Sequence, residues 1–154
     1  MYAEWLAWLE QTGLGHLARH SAWLFMIVNV LHVLGAALVV GGIAVFDLNV
    51  LLDRKDAAAT GRIAIPLAAL GVLIQVPTGV TLLAVEARAL GVNPAFYAKM
   101  AFIALGLVNV AVFHARFGSA MGNLPLPPSA RPFAMVSLAA WVLALIAGRM
   151  IAYL

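Results

Sequence analysis

Cysteine is absent, which excludes thiolate metal sites, disulfides and thiol redox chemistry together. Charge is scarce. Asp and Glu contribute 6 residues and Lys and Arg 9, so charged side chains make up 10% of the 154 residues, where a soluble domain carries about a quarter. The cations stand singly and form no patch able to track phosphates, so nucleic acid is not an expected partner. Also missing are a phosphate loop, a nucleophile set beside a base, and a run of carboxylates fit for hydrolysis. With no complete catalytic motif, the chain is not expected to be an enzyme, and at most serves as an electron-transfer subunit.

What is present is apolar. Hydrophobic residues make up 65% of the chain and the mean hydropathy is +1.04. A soluble core of this size could not hide so much apolar surface, so the lipid bilayer is the expected solvent and first partner. Apolar runs long enough to cross the ~30 Å hydrocarbon layer recur at about 21–52, 62–87, 95–117 and 132–154. Ser21 suits a helix cap, Asn93-Pro94 marks a helix start, and Pro125, Pro127 and Pro128 mark the last connection. Short connections force antiparallel neighbours. The predicted fold is all-α, one membrane domain over 1–154, built as an up-down bundle of four transmembrane helices.

Upstream, residues 2–17 place Trp5, Leu6, Leu9 and Leu17 near helical spacing, as expected of a short amphipathic helix at headgroup level, with Gly13 and Gly15 interrupting it. Glu4 and Glu10 and the lack of a basic start argue against a cleaved signal. Arg54, Lys55, Arg62, Arg116 and Arg131 fall on one side, against Arg19, Arg88, Lys99 and Arg149 on the other. By the positive-inside rule this suggests a multi-pass protein of a bacterial inner membrane with both termini on the periplasmic side. Trp5, Trp8, Trp23, Tyr97 and Tyr153 supply the matching interfacial belt.

Polar groups at membrane depth are costly and mark interiors, cavities or cofactors. His32 lies near the middle of the first run, with Asn29 one turn before it and the small residues Gly35 and Ala36 one turn after. A small neighbour leaves room for a flat ring, and neutral imidazole is a common axial ligand of b-type haem. His32 is therefore the first candidate haem ligand. It is equally suited to a hydrogen bond across the bundle to Asn29, Gln75, Thr78 or Asn109, or to a proton or quinone role. Gly71, Gln75, Thr78, Gly79, Leu82 and Glu86 share one face of the second span, which is expected to point inward, and Pro77 is expected to kink that span.

His114 is the second histidine candidate, but it sits near the end of the third span, about 15 Å from the height of His32. Asp47 matches it better in height, so an ion pair or hydrogen bond between Asp47 and His114 is one reading and interfacial snorkelling of His114 the other. His16 and His20, four apart, could chelate a metal or simply face solvent. Arg149 either snorkels outward or turns inward to hold an anion such as a haem propionate. Met26, Met100, Met121, Met135 and Met150 are dispersed, unlike a copper(I) channel.

Leu31-His32-Val33-Leu34-Gly35, Gly41-Gly42 and Asp47-Leu48 resemble the first helix of small bacterial membrane proteins related to copper-resistance protein D. Asn93-Pro94-Ala95-Phe96 with Lys99, Asn109, Phe113-His114, Gly148-Arg149 and Ala152-Tyr153 resemble later signatures of a four-helix branch of that group. The resemblance singles out His32, Asp47, Lys99, Asn109, His114 and Arg149, and implies copper handling only distantly. The expected function is a small haem b-binding or quinone-interacting membrane subunit for electron transfer, working with a redox partner or larger membrane complex. The alternatives are a structural or accessory subunit and a copper-handling protein.

Overall fold

A computed structural model describes residues 2–54, 57–118 and 126–154. Lys55, Met121 and Pro125, invoked above, lie outside them. The described residues are helical throughout, without strands: α1 (Tyr2–Gln11), α2 (Gly13–His20), α3 (Ala22–Leu51), α4 (Ala57–Val85), α5 (Ala87–Leu90), α6 (Pro94–Phe117) and α7 (Arg131–Met150), the last preceded by a 3-10 turn at Pro128–Ala130. Among them α3, α4, α6 and α7 are long and apolar enough to cross a membrane. Ile63, Leu73, Val33 and Val76 are 74, 71, 61 and 60% exposed, a surface that only lipid can cover. The chain is a multi-pass membrane protein with an all-α bundle.

Local chemistry sets the helix ends. Asn93 accepts from the N–H groups of Ala95 (2.9 Å) and Phe96 (3.3 Å), and Pro94 fills the first position, so α6 starts where the sequence says. Ser21 caps α3 through the Leu24 N–H. The N-terminal helix is two helices, and the break falls at Thr12, not at Gly13 and Gly15 as expected. Thr12 donates to the Leu9 carbonyl (2.7 Å) and accepts from the Gly15 N–H (3.3 Å), ending one helix and capping the next. Gly15 serves packing instead, since a Cβ there would meet the Ala84 carbonyl at 2.6 Å.

Pro66 and Pro77 both sit inside α4 without ending it. Each removes one backbone donor, and the helix continues past it, as membrane helices tolerate when neighbours and side chains satisfy the freed groups.

The four long helices form two hairpins, α3 with α4 and α6 with α7, joined because α3 also packs against α7. Lipid supplies no hydrophobic drive between helices, so close approach relies on small residues. Gly71 abuts the backbone of Gly35 and Val39, where a Cβ would stand 2.7 Å from each, and a Cβ on Gly42 would meet the Ala64 carbonyl at the same distance. On α7 the buried stripe is Ala134, Ser137, Ala140, Ala144 and Ala147. At the end that holds the α3–α4 and α6–α7 connections, here the connection end, Val50, Phe113, Phe117, Ala130 and Ala134 form the core cluster, and Arg131 pairs with Asp53 at 3.2 Å. At the opposite end Asn93 Nδ2 donates to the Ile151 carbonyl, and Glu10 binds the Arg88 N–H and faces the Arg19 and Arg88 guanidinium groups. Both chain termini lie at that end.

Candidate functional site

The site begins with the inner face of α3. Val28, His32, Gly35, Val39 and Gly42 fall at successive helical steps of three and four, so the face that packs on α4 through glycines also carries the imidazole. Opposite it, α4 presents Gln75, Thr78 and Gly79. A Cβ on Gly79 would stand 3.2 Å from His32 Cε1, so the absent side chain makes the seat for the ring. Gln75 Nε2 donates to the His32 carbonyl at 2.5 Å, and Thr78 Oγ1 lies 2.9 Å from His32 Nδ1. The expected hydrogen bond across the bundle is therefore made, by Thr78, and the expected inward face of α4 holds from Gly71 to Gly79. Glu86 falls outside that face: it is exposed and stands at the junction of α4 and α5.

The remaining ring nitrogen meets the other hairpin. Lys99, one turn into α6, runs its stem past Gly148 of α7, where a Cβ would stand 3.4 Å from Lys99 Cδ, and brings Nζ to 3.4 Å from His32 Nε2. Lys99 makes no other hydrogen bond or ion pair among the described residues. Its ammonium has three donors and only one is used.

This contact joins the two hairpins. On α3, Asp47 is buried against the Ser137 hydroxyl of α7, Ile43, Val40, Ala36 and His32 are half-buried, as is Lys99 on α6, and Asn29, one turn before His32, is exposed.

The other candidates lie elsewhere. Asn109 is buried and donates to the Phe133 carbonyl at 3.1 Å, tying α6 to α7. His114 is exposed, with Nδ1 on the Val110 carbonyl of its own helix, so the Asp47–His114 contact is not formed. The reason is azimuth: Asp47 turns toward α7 and His114 turns outward, although their heights match. Arg149 binds the Tyr153 hydroxyl at 2.8 Å and stacks over that ring at 5.0 Å, the outward of its two expected directions. His16 and His20 are exposed, their rings 4.2 Å apart. Among the described residues no group of three or more His, Cys, Asp or Glu could hold a metal ion.

No family model, curated protein or solved structure matches the chain. Its chemistry has to be read from this site.

Position alone counts Lys99 only as an outer cation, and the resemblance singles it out without giving it a role. The available signal is its place five residues into a span, with a glycine at the matching height of the last helix.

A b-type haem held by two histidines needs two imidazoles converging on one iron. His32 Nε2 is held by Lys99, and His114 lies in the other half of the bundle. The residues therefore do not fit that ligand pair. They do fit a small group carrying acceptor oxygens.

Proposed function

We propose that the chain is a small quinone-interacting membrane subunit for electron transfer, with the quinone headgroup received at Lys99 and His32. The observation that carries this reading is Lys99: a half-buried ammonium within a membrane span, held among the described residues by a single contact to His32 Nε2, with two N–H donors unused. An intramembrane cation needs an acceptor, and charge-assisted hydrogen bonds to a carbonyl oxygen, stronger still once that oxygen gains negative charge on reduction, meet the need. Asn29, exposed one turn before His32 on α3, offers a further amide donor and acceptor.

The bound quinone supplies the redox chemistry, taking up two electrons and two protons. The chain supplies orientation and charge. The electrons, in this reading, come from a redox centre in a partner subunit. In this reading the connection end faces the cytoplasm of a bacterial inner membrane. Arg54, Arg62, Arg116 and Arg131 stand at that end. Lys99 is directed to His32 at the other, which leaves Arg19, Arg88 and Arg149 there.

The test is titration of the detergent-purified chain with a tailed benzoquinone or naphthoquinone, beside a Lys99→Met variant, with iron content and an oxidised and dithionite-reduced spectrum on the same sample. Saturable binding that needs Lys99 supports the reading. A reduced haem b band with near-stoichiometric iron and no quinone binding overturns it in favour of haem.

A further inference from the structure

The hydrogen bonds around His32 determine which nitrogen carries its proton. Thr78 has one hydroxyl hydrogen, and its Oγ1 stands 2.6 Å from the Ile74 carbonyl of the preceding turn, with the Gln75 carbonyl at 3.3 Å as a second acceptor. Both of these partners only accept, so the hydrogen goes to one of them. The hydroxyl oxygen then faces His32 Nδ1 at 2.9 Å with lone pairs alone, and Nδ1 has to be the donor. At the other nitrogen the partner is Lys99 Nζ, which can only donate, so Nε2 accepts through its lone pair. A hydrogen on Nε2 would point at an ammonium. Every hydrogen in the chain Lys99, His32, Thr78, Ile74 therefore runs in one direction.

We propose that Thr78 is a positioning residue: by fixing His32 with its hydrogen on Nδ1, it turns the Nε2 lone pair to Lys99 and holds the ammonium with two donors free for a ligand oxygen. Which nitrogen of a histidine is protonated is set by the bond that the other one makes. Gly79 leaves the ring its space and Gln75 anchors the His32 backbone, but neither selects the tautomer; the Thr78 hydroxyl does so from the Nδ1 side and Lys99 from the Nε2 side. The use of those two donors rests on the quinone reading, whereas the tautomer does not.

The experiment is nitrogen NMR of the full chain labelled with ¹⁵N-histidine, His32 being assigned by its loss in His32→Gln, on wild type, Thr78→Val and Thr78→Ser. Affinity for the tailed quinone is measured on the same three proteins. The expected wild-type signature is a protonated Nδ1 and an unprotonated Nε2. The Nδ1 resonance of that signature shifts in Thr78→Val, which keeps the shape and removes the oxygen that accepts from Nδ1–H, and is retained in Thr78→Ser. Quinone affinity is expected to fall roughly threefold to tenfold in Thr78→Val, the effect of one net hydrogen bond, and to recover in Thr78→Ser. A wild-type His32 protonated at Nε2, or a signature unchanged in Thr78→Val, overturns the assignment. A signature that responds as expected while none of the three proteins binds quinone upholds the role of Thr78 and overturns the quinone reading.

Discussion

Gln75 and Thr81 are both polar residues of α4 and place their side chains in opposite kinds of surroundings. Gln75 reaches across to α3 and donates to the His32 carbonyl at 2.5 Å. Thr81 returns to its own helix, donating to the Pro77 carbonyl at 2.9 Å. A hydrogen bond between membrane helices contributes on average about 0.6 kcal/mol and seldom more than about 1.7 kcal/mol, because partners are also available when the helices separate. Gln75→Leu is expected to lower the stability of the bundle by about 0.5–1.5 kcal/mol in a reversible detergent unfolding assay, and Thr81→Val to change it by no more than a few tenths. Equal effects would mean that Gln75 does not link the hairpin. At this scale the sequence was only partly legible. His32, Gln75 and Thr78 stand out as polar residues on small-residue faces, which spacing alone reveals. Lys99 does not, because the course of its stem past Gly148 depends on how α6 meets α7. Asn109 and Arg149 look equally suitable as letters, and face the Phe133 carbonyl and Tyr153 instead.

Among elements, the α3/α4 hairpin shows how helices associate where apolar side chains gain nothing by leaving lipid. Its contact is backbone on backbone: Gly71 against Gly35 and Val39, and Gly42 against Ala64 and Ala68. A methyl group at Gly71 has no flexible neighbour to displace, so Gly71→Ala is expected to cost about 1–3 kcal/mol. Gly41 has nothing within 4 Å of a Cβ position, so Gly41→Ala is expected to be neutral or slightly stabilising, since alanine favours helix over glycine. Thermal unfolding of the two variants in one detergent checks the difference, and a Gly71→Ala protein as stable as wild type would contradict this packing. The existence and length of the four spans were legible because a bilayer demands them of any apolar run. Azimuth was legible in α4, where Gly71, Gln75, Thr78 and Gly79 mark one face, but α3 is apolar nearly all round, so no polar stripe announces which side faces a neighbour. The Asp47–His114 reading failed for that reason, as height can be counted along a helix and rotation, without a polar stripe, cannot.

For the whole molecule, the bundle is asymmetric from end to end. Aromatic packing and the Asp53–Arg131 pair close the connection end. The terminal end carries α1, α2 and α5, and toward it His32 and Lys99 bridge the hairpins. Directing Lys99 inward removes it from the count of cations at the terminal end and strengthens the bias that places the connection end in the cytoplasm. A green fluorescent protein fused after Leu154 is then expected to stay dark, and an alkaline phosphatase fused there to be active, with the reverse pattern for fusions in the 118–126 connection. Fluorescence from the C-terminal fusion would contradict this orientation.

The central claim is that Lys99, held by His32, receives an acceptor oxygen of a quinone, and the most direct measurement is the dissociation constant of a tailed quinone for wild type and Lys99→Met at equal folding. A hydrogen bond to a charged group is worth about 1.5–3 kcal/mol, so loss of the ammonium is expected to weaken binding roughly tenfold to a hundredfold. Equal affinity in the two proteins, or no saturable binding to wild type, would contradict the account.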